Sequence, residues 1–469
     1  MKPFILSKWR CVLTAKCLNR PVFHLLQVVA LSLLVFFGGY ANVYAQHWDF
    51  KGNKSSVTIP IEIINHIITI PVQLNGEELR FILDTGVKET LLFGNIDSVV
   101  LHNVTSINFN GLGISEGLKG LLSLSNVLVL GDSALIDHRH DLYVVVDSSV
   151  NLSKNIGIPI HGILGSHFFS SHIVRIDYVK KKLQVFKSLN GIEKMLQKYT
   201  VFKMDLLKDR PFVAVDILTG RQEFERLRML VDLGNSDPLM LFTTALQDYM
   251  INTPYVYEFL GQGFNGDIYG KRSRIAKVSI GRFSLNEPFV SYPDTNSYNE
   301  LKLATGRVGS IGNQVMSRFD VVFNYTDSLL YLKKNRLFAD AFNIDMSGLE
   351  IRHEGFTWVK NEVPPQVNDS KMKYDAKTVN LGTDVTYQIA LVPSYVVYHV
   401  RKDSPADLAG IRIGDVIYKI NGSYAGKIGL EKIRQKLQVR NNYGVSLEVK
   451  RDGELRKFRF ALIDPILLK

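Results

Sequence analysis

The sequence predicts a mainly β protein of two tandem lobes related by an internal pseudo-twofold repeat, followed by a smaller C-terminal module. Three observations carry that prediction. Aromatic and β-branched residues are plentiful and long Ala/Glu/Lys stretches are scarce, which favours strands over helices. Residues 46–195 and 196–340 carry matching landmarks at matching intervals. Residues 341–469 abandon that repeat for a different succession of strands, turns and short helices. A length of 469 residues suits this division, at roughly 150 residues per domain.

The first 45 residues read as a leader. Lys2, Lys8, Arg10, Lys16 and Arg20 precede an apolar run from Leu25 to Gly39, and Val43-Tyr44-Ala45 offers a cleavage site before Gln46. That is the layout of a secretory signal peptide. The run is short for a spanning helix, which needs about 20 apolar residues; an uncleaved N-terminal anchor is the alternative. Removing the five leader charges lowers the formal net charge from +11 to +6. No basic face with interleaved aromatics stands out, so nucleic acid is not an expected partner. Cys11 and Cys17 both lie in the leader, so the mature chain has no disulfide and no thiol or Cys-zinc chemistry. Export without disulfides suits the periplasm or another bacterial envelope compartment.

The repeat comes next. Phe81-Ile82-Leu83-Asp84-Thr85-Gly86 and Met229-Leu230-Val231-Asp232-Leu233-Gly234 are apolar strands ending in Asp-x-Gly. Each is followed by Gly-x-x-Gly, Gly162–Gly165 and Gly309–Gly312, with Gly165 81 positions beyond Asp84 and Gly312 80 beyond Asp232. Val174-Arg175-Ile176-Asp177-Tyr178 aligns with Val321-Val322-Phe323-Asn324-Tyr325. Gly111-Leu112-Gly113 and Gly261-Gln262-Gly263 occupy equivalent turns suited to a hairpin flap. The alternative is a duplicated β unit whose Asp-x-Gly is only a turn.

Asp84 and Asp232 are the candidate catalytic pair. Amide hydrolysis by water needs a base and an acid, and two carboxylates about 3 Å apart that share one proton supply both. Gly86 and Gly234 allow tight turns, and Gly165 and Gly312 pack thin backbone behind them. Asp84-Thr85-Gly86 with the following Val87-Lys88-Glu89-Thr90-Leu91-Leu92 resembles the retropepsin active-site motif, and Ile163-Leu164-Gly165 resembles that family's apolar-apolar-Gly motif. The tandem copies with an appended C-terminal module are similar to bacterial aspartyl proteases that carry a PDZ domain. The resemblance implies two β-barrel-like lobes, a monomeric enzyme without a cofactor, a cleft for an extended peptide or protein substrate, and Thr85 bracing the pair. Two positions depart from the pattern: Leu233 stands where Thr or Ser is usual, and Ser310 replaces an apolar residue. A two-lobed peptide-binding scaffold without activity is therefore the competing expectation. Lys88 reads as a solvated loop charge, and His138-Arg139-His140 as an exposed loop rather than a metal site.

In the last module, Ser404-Pro405-Ala406-Asp407-Leu408-Ala409-Gly410-Ile411, Gly414-Asp415-Val416-Ile417 and Ile420-Asn421-Gly422 resemble bacterial PDZ domains. Pro405 starts a short helix and Gly410 ends it, Asn421-Gly422 makes a tight turn, and Leu430, Ile433 and Leu437 recur at helical spacing. Tyr395–Val400 reads as a strand and the polar stretch from Val363 to Lys377 as an extended loop. The resemblance implies a groove that takes a ligand segment by strand addition, with Gly348, Leu349 and Ile351 as the peptide-binding edge.

Overall fold

Phe81-Ile82-Leu83 and Met229-Leu230-Val231 are the fully buried ends of two strands, Glu77–Leu83 and Glu223–Val231, whose beginnings face solvent. Cover on both faces is why these ends read as unbroken apolar runs instead of alternating ones. The computed structural model describes residues 48–93, 98–109, 118–146, 152–263, 266–297, 304–363 and 386–468. Contacts divide the chain after Ala45, and residues 46–469 form one unit. The leader and Gly111–Gly113 lie outside the described residues.

The two halves repeat each other down to register. Glu77–Leu83 pairs in parallel with Gly162–Leu164, which pairs antiparallel with Thr90–Leu92. Glu223–Val231 pairs in parallel with Gly309–Ile311, which pairs antiparallel with Leu239–Leu241. In both cases the Asp at the strand end donates its backbone N–H to the neighbouring short strand: Asp84 to Leu164 O at 3.0 Å, and Asp232 to Ile311 O at 2.9 Å. A Cβ on Gly165 would overlap the carbonyls of Lys88 and Glu89, and one on Gly312 those of Asn235 and Asp237. Close approach of backbone to backbone therefore explains both glycines.

The sheets around these cores differ. In the first half the described pairings close on themselves, because Leu118–Leu130 pairs with both Ile67–Leu74 and Leu135–Val145. In the second half they run open and end in the hairpin Tyr255–Gly263/Gly266–Arg274, where the sequence placed a flap. A third sheet of six strands joins the halves. Its central pair is Ile173–Asp177 and Phe319–Asn324, antiparallel, with Ile176 opposite Val321. These are the two segments that the repeat aligns, and they meet across the axis relating the halves.

The C-terminal module has its own sheet, with Leu349–Val363 as the edge strand beside Thr386–Val400, and the helices Pro405–Leu408 and Leu430–Leu437. The sequence features act as expected. Ser404 caps the first helix by accepting from Asp407 N, Gly410 adopts φ +89°, and Asn421 and Gly422 both have positive φ in the turn between Ile420 and Ser423. Leu430, Ile433 and Leu437 are the buried face of the second helix. The strand read from Tyr395 begins earlier, at Thr386, and the polar stretch beyond Val363 lies outside the described residues. One apolar cluster runs through Ile176, Val231, Leu349 and Ile433, so the module shares its core with the two halves.

Candidate active site

The two Asp-x-Gly turns bring Asp84 and Asp232 together. Asp84 Oδ1 accepts from Gly86 N at 2.6 Å and, across the axis, from Gly234 N at 3.2 Å. The Asp84 and Asp232 carboxyls stand close enough for each to alter the other's proton affinity. A Cβ on Gly86 would sit 2.7 Å from Asp232 Oδ1, and one on Gly234 would collide with the Asp84 carboxylate. Each glycine thus leaves room for the opposite half's carboxylate. Burial, then the charge of Asp232, push the Asp84 carboxyl well above the usual carboxylate range. Burial raises Asp232 as well, but the Arg307 guanidinium opposes that rise. Arg307 is itself buried, which lowers it to about 10, and its Nε donates to Gly309 O at 3.2 Å. Like charges this close share a proton, and Arg307 biases the negative charge toward Asp232. A proton on one carboxyl and charge on the other can serve as an acid and a base.

Thr85 spans the axis. Its hydroxyl donates to Val231 O at 2.6 Å and accepts from Leu233 N at 3.1 Å, in a fully buried setting. Leu233 returns no hydroxyl; its side chain is fully buried in the apolar cluster. Its carbonyl instead accepts from Asn313 Nδ2 at 3.2 Å, and Asn313 Oδ1 accepts from Tyr178 O–H at 2.6 Å. Tyr178 belongs to the first half and Asn313 to the second, so a second buried link crosses between halves. Ser310 is likewise accommodated: it is fully buried and its Oγ accepts from Asn235 Nδ2 at 3.3 Å. Asn313 directly follows Gly312, so its position was open to inspection in the sequence. Its partner Tyr178 was not, because nothing local links them.

The pair opens into a cavity of about 410 Å³. Ile67, Ile163, Met240, Phe289 and Ile268 give it apolar walls, and Gln262 of the hairpin reaches across it. Gln262 Oε1 accepts from Asn155 Nδ2 at 2.9 Å, tying the hairpin tip to the helix Leu152–Ile156 of the first half. The remaining wall comes from the C-terminal module, through Asp345, Leu349, Glu350 and Arg434.

The PDZ domain family matches residues 396–451. The chain therefore carries a PDZ domain there. No curated protein matches the chain. The PDZ domain and the residues leading into it are not free of the rest. Arg434 Nη1 donates to Asn155 O at 2.8 Å, and Asn65 N donates to Glu431 Oε2 at 2.8 Å. Of the peptide-binding residues read from sequence, Leu349 and Ile351 are buried, Gly348 has φ +82° against Ser404, and Arg434 Nη2 donates to Ile351 O at 2.9 Å. The backbone amides entering that edge are engaged: Ser347 N and Gly348 N donate to Asp345 Oδ1, and Leu349 N to Ser347 Oγ.

One sequence reading is overturned and another gains a partner. His140 is not on an exposed loop: it lies on the strand Leu135–Val145, 1% exposed, with Nδ1 2.8 Å from Asp137 Oδ2 and Nε2 2.8 Å from Thr90 Oγ1. Polar residues marked the stretch as a loop, but Asp137 and Thr90 satisfy the ring inside the sheet. Lys88 lies on a loop and is partly exposed, and its Nζ pairs with Asp209 Oδ2 of the second half at 3.1 Å.

Proposed function

We propose that the chain is an aspartic endopeptidase of retropepsin-like, two-lobed construction, exported to the bacterial envelope, whose PDZ domain recruits a substrate or partner chain. The observation that carries it is the facing pair Asp84–Asp232, one carboxyl from each half, with Gly234 N donating to Asp84 Oδ1 at 3.2 Å and both carboxyls lining a cavity with apolar walls. In this reading the ionised carboxyl, chiefly Asp232, takes a proton from water as it attacks the peptide carbonyl. Asp84 holds the shared proton and passes it toward the leaving nitrogen. Both carboxyls stay in the chain, so one polypeptide completes the site and no cofactor is required. A ligand segment for the PDZ domain follows from the usual strand addition of such domains.

A second reading, a peptide-binding scaffold without activity, draws on Leu233 and on the C-terminal module's share of the cavity wall. The two separate in one experiment. Residues 46–469 are incubated with a mixed peptide pool from acidic to neutral pH, beside Asp84→Asn and Asp232→Asn, and products are sequenced by mass spectrometry. The peptidase reading requires cleavage by the parent that falls about 10²-fold or more in each variant. A folded parent that binds peptides and cleaves none at any pH favours the scaffold.

A further inference from the structure

Asp237 lies near the end of the loop that begins at Asp232, and it starts a line of buried charges. Its Oδ2 accepts from Arg272 Nη2 at 2.9 Å. Arg272 Nη1 donates to Glu258 Oε1 at 2.6 Å, and Glu258 Oε2 accepts from Arg401 Nη1 at 2.6 Å. The four side chains are only 8–13% exposed. Burial disfavours charge on Arg272, yet Asp237 and Glu258 outweigh it and hold the guanidinium above its usual value. Buried charges persist only where each is paired and hydrogen-bonded, and strict alternation of sign meets that condition here.

The line has a direction. Glu258 and Arg272 lie on opposite strands of the hairpin whose tip carries Gln262 over the cavity. Arg401 lies in the PDZ domain, and its backbone N donates to Gly348 O at 2.8 Å. Tyr398 O–H bonds to Asp267, and Phe259 meets Tyr398 edge-on at 5.9 Å, as Tyr269 meets His399 at 5.9 Å. Hairpin and PDZ domain are thus joined by charge, hydrogen bond and ring contact at once.

We propose that Arg401 of the PDZ domain is a positioning residue of the peptidase site, which through Glu258 and Arg272 sets the flap hairpin and the Asp237 end of the dyad loop. This rests on the peptidase reading. The PDZ domain is then a built-in wall of the active site, and Gly348, part of the expected peptide-binding edge, is two hydrogen bonds from the flap.

The test uses residues 46–469 carrying Arg401→Ala, Arg401→Lys, Glu258→Gln or both Arg401→Ala and Glu258→Gln. Hydrogen exchange is followed in residues 232–237 and 255–274, together with kcat, KM and the thermal midpoint. Arg401→Ala is expected to speed exchange in both segments and to lower kcat about 10- to 100-fold with a smaller change in KM, as misplacement of a site from a distance does. Arg401→Lys should recover part of kcat, and the double variant should fall no further than Arg401→Ala. If Arg401→Ala does not fold, Glu258→Gln and Arg401→Lys carry the same comparison. Faster exchange confined to residues 386–468, or a lowered midpoint with kcat intact, would overturn the positioning role. A parent that cleaves no peptide would remove the peptidase reading itself; faster exchange in residues 232–237 and 255–274 would then still establish the coupling, and unchanged exchange would sink that too.

Discussion

Asp84-Thr85-Gly86 and Asp232-Leu233-Gly234 stand in equivalent places yet are held by different forces. The first loop grips the second with a hydroxyl: Thr85 bonds Val231 O and Leu233 N. The second is held by an apolar side chain sunk in the core, with its carbonyl tethered through Asn313 to Tyr178 of the first half. One loop therefore depends on directional bonds and the other on packing plus a longer polar link. A departure from a repeated motif need not weaken a site when a neighbouring position supplies the lost connection.

Gly234→Ala places a Cβ into the Asp84 carboxylate, so cleavage should fall about 10²-fold or more while far-UV circular dichroism shows the sheets intact. Wild-type rates in that variant would mean the carboxyls do not meet there. Leu233→Ala empties a fully buried site and should lower unfolding free energy by about 2–5 kcal/mol, measured by chemical denaturation. Thr85→Ala removes two buried hydrogen bonds and should lower it by roughly 1–3 kcal/mol, with Thr85→Ser recovering much of the loss. If Thr85→Ala proved the more damaging of the two, packing would not be what holds the second loop.

A smaller effect concerns pH. Asp345, raised by burial to about 6, and Asp84, raised by burial and by Asp232, both bind protons more tightly folded than unfolded. Their contribution is complete below the unfolded carboxylate range, about pH 4. It is lost as pH climbs through the folded values, because the unfolded chain then binds fewer protons. The thermal midpoint should decline from mildly acidic to neutral pH. Asp84→Asn should decline less, and an identical slope in parent and variant would show that Asp84 is already ionised.

Much of this was legible in the sequence. Near-equal spacing between Asp-x-Gly and Gly-x-x-Gly, 81 and 80 positions, is a covalent record of one topology used twice, and the glycines are fixed by contacts that no Cβ survives. Short helices and turns of the last module were readable because Pro405, Gly410 and Asn421-Gly422 act locally. What escaped was set by partners distant along the chain. His140 looked like loop until Asp137 and Thr90 enclosed it. Arg401 and Glu258 are 143 residues apart, and neither has a pattern that announces the other. Arg307 lies outside both motifs and reaches Asp232 only through the fold.

The most direct test of the shared proton is the infrared difference spectrum between the parent and Asp84→Asn, recorded at neutral pH with labelled aspartate. The account requires the parent to show a protonated-carboxyl stretch that the variant lacks. A difference made up only of ionised carboxylate bands would mean that Asp84 carries no proton, and the pair could not divide the work of acid and base.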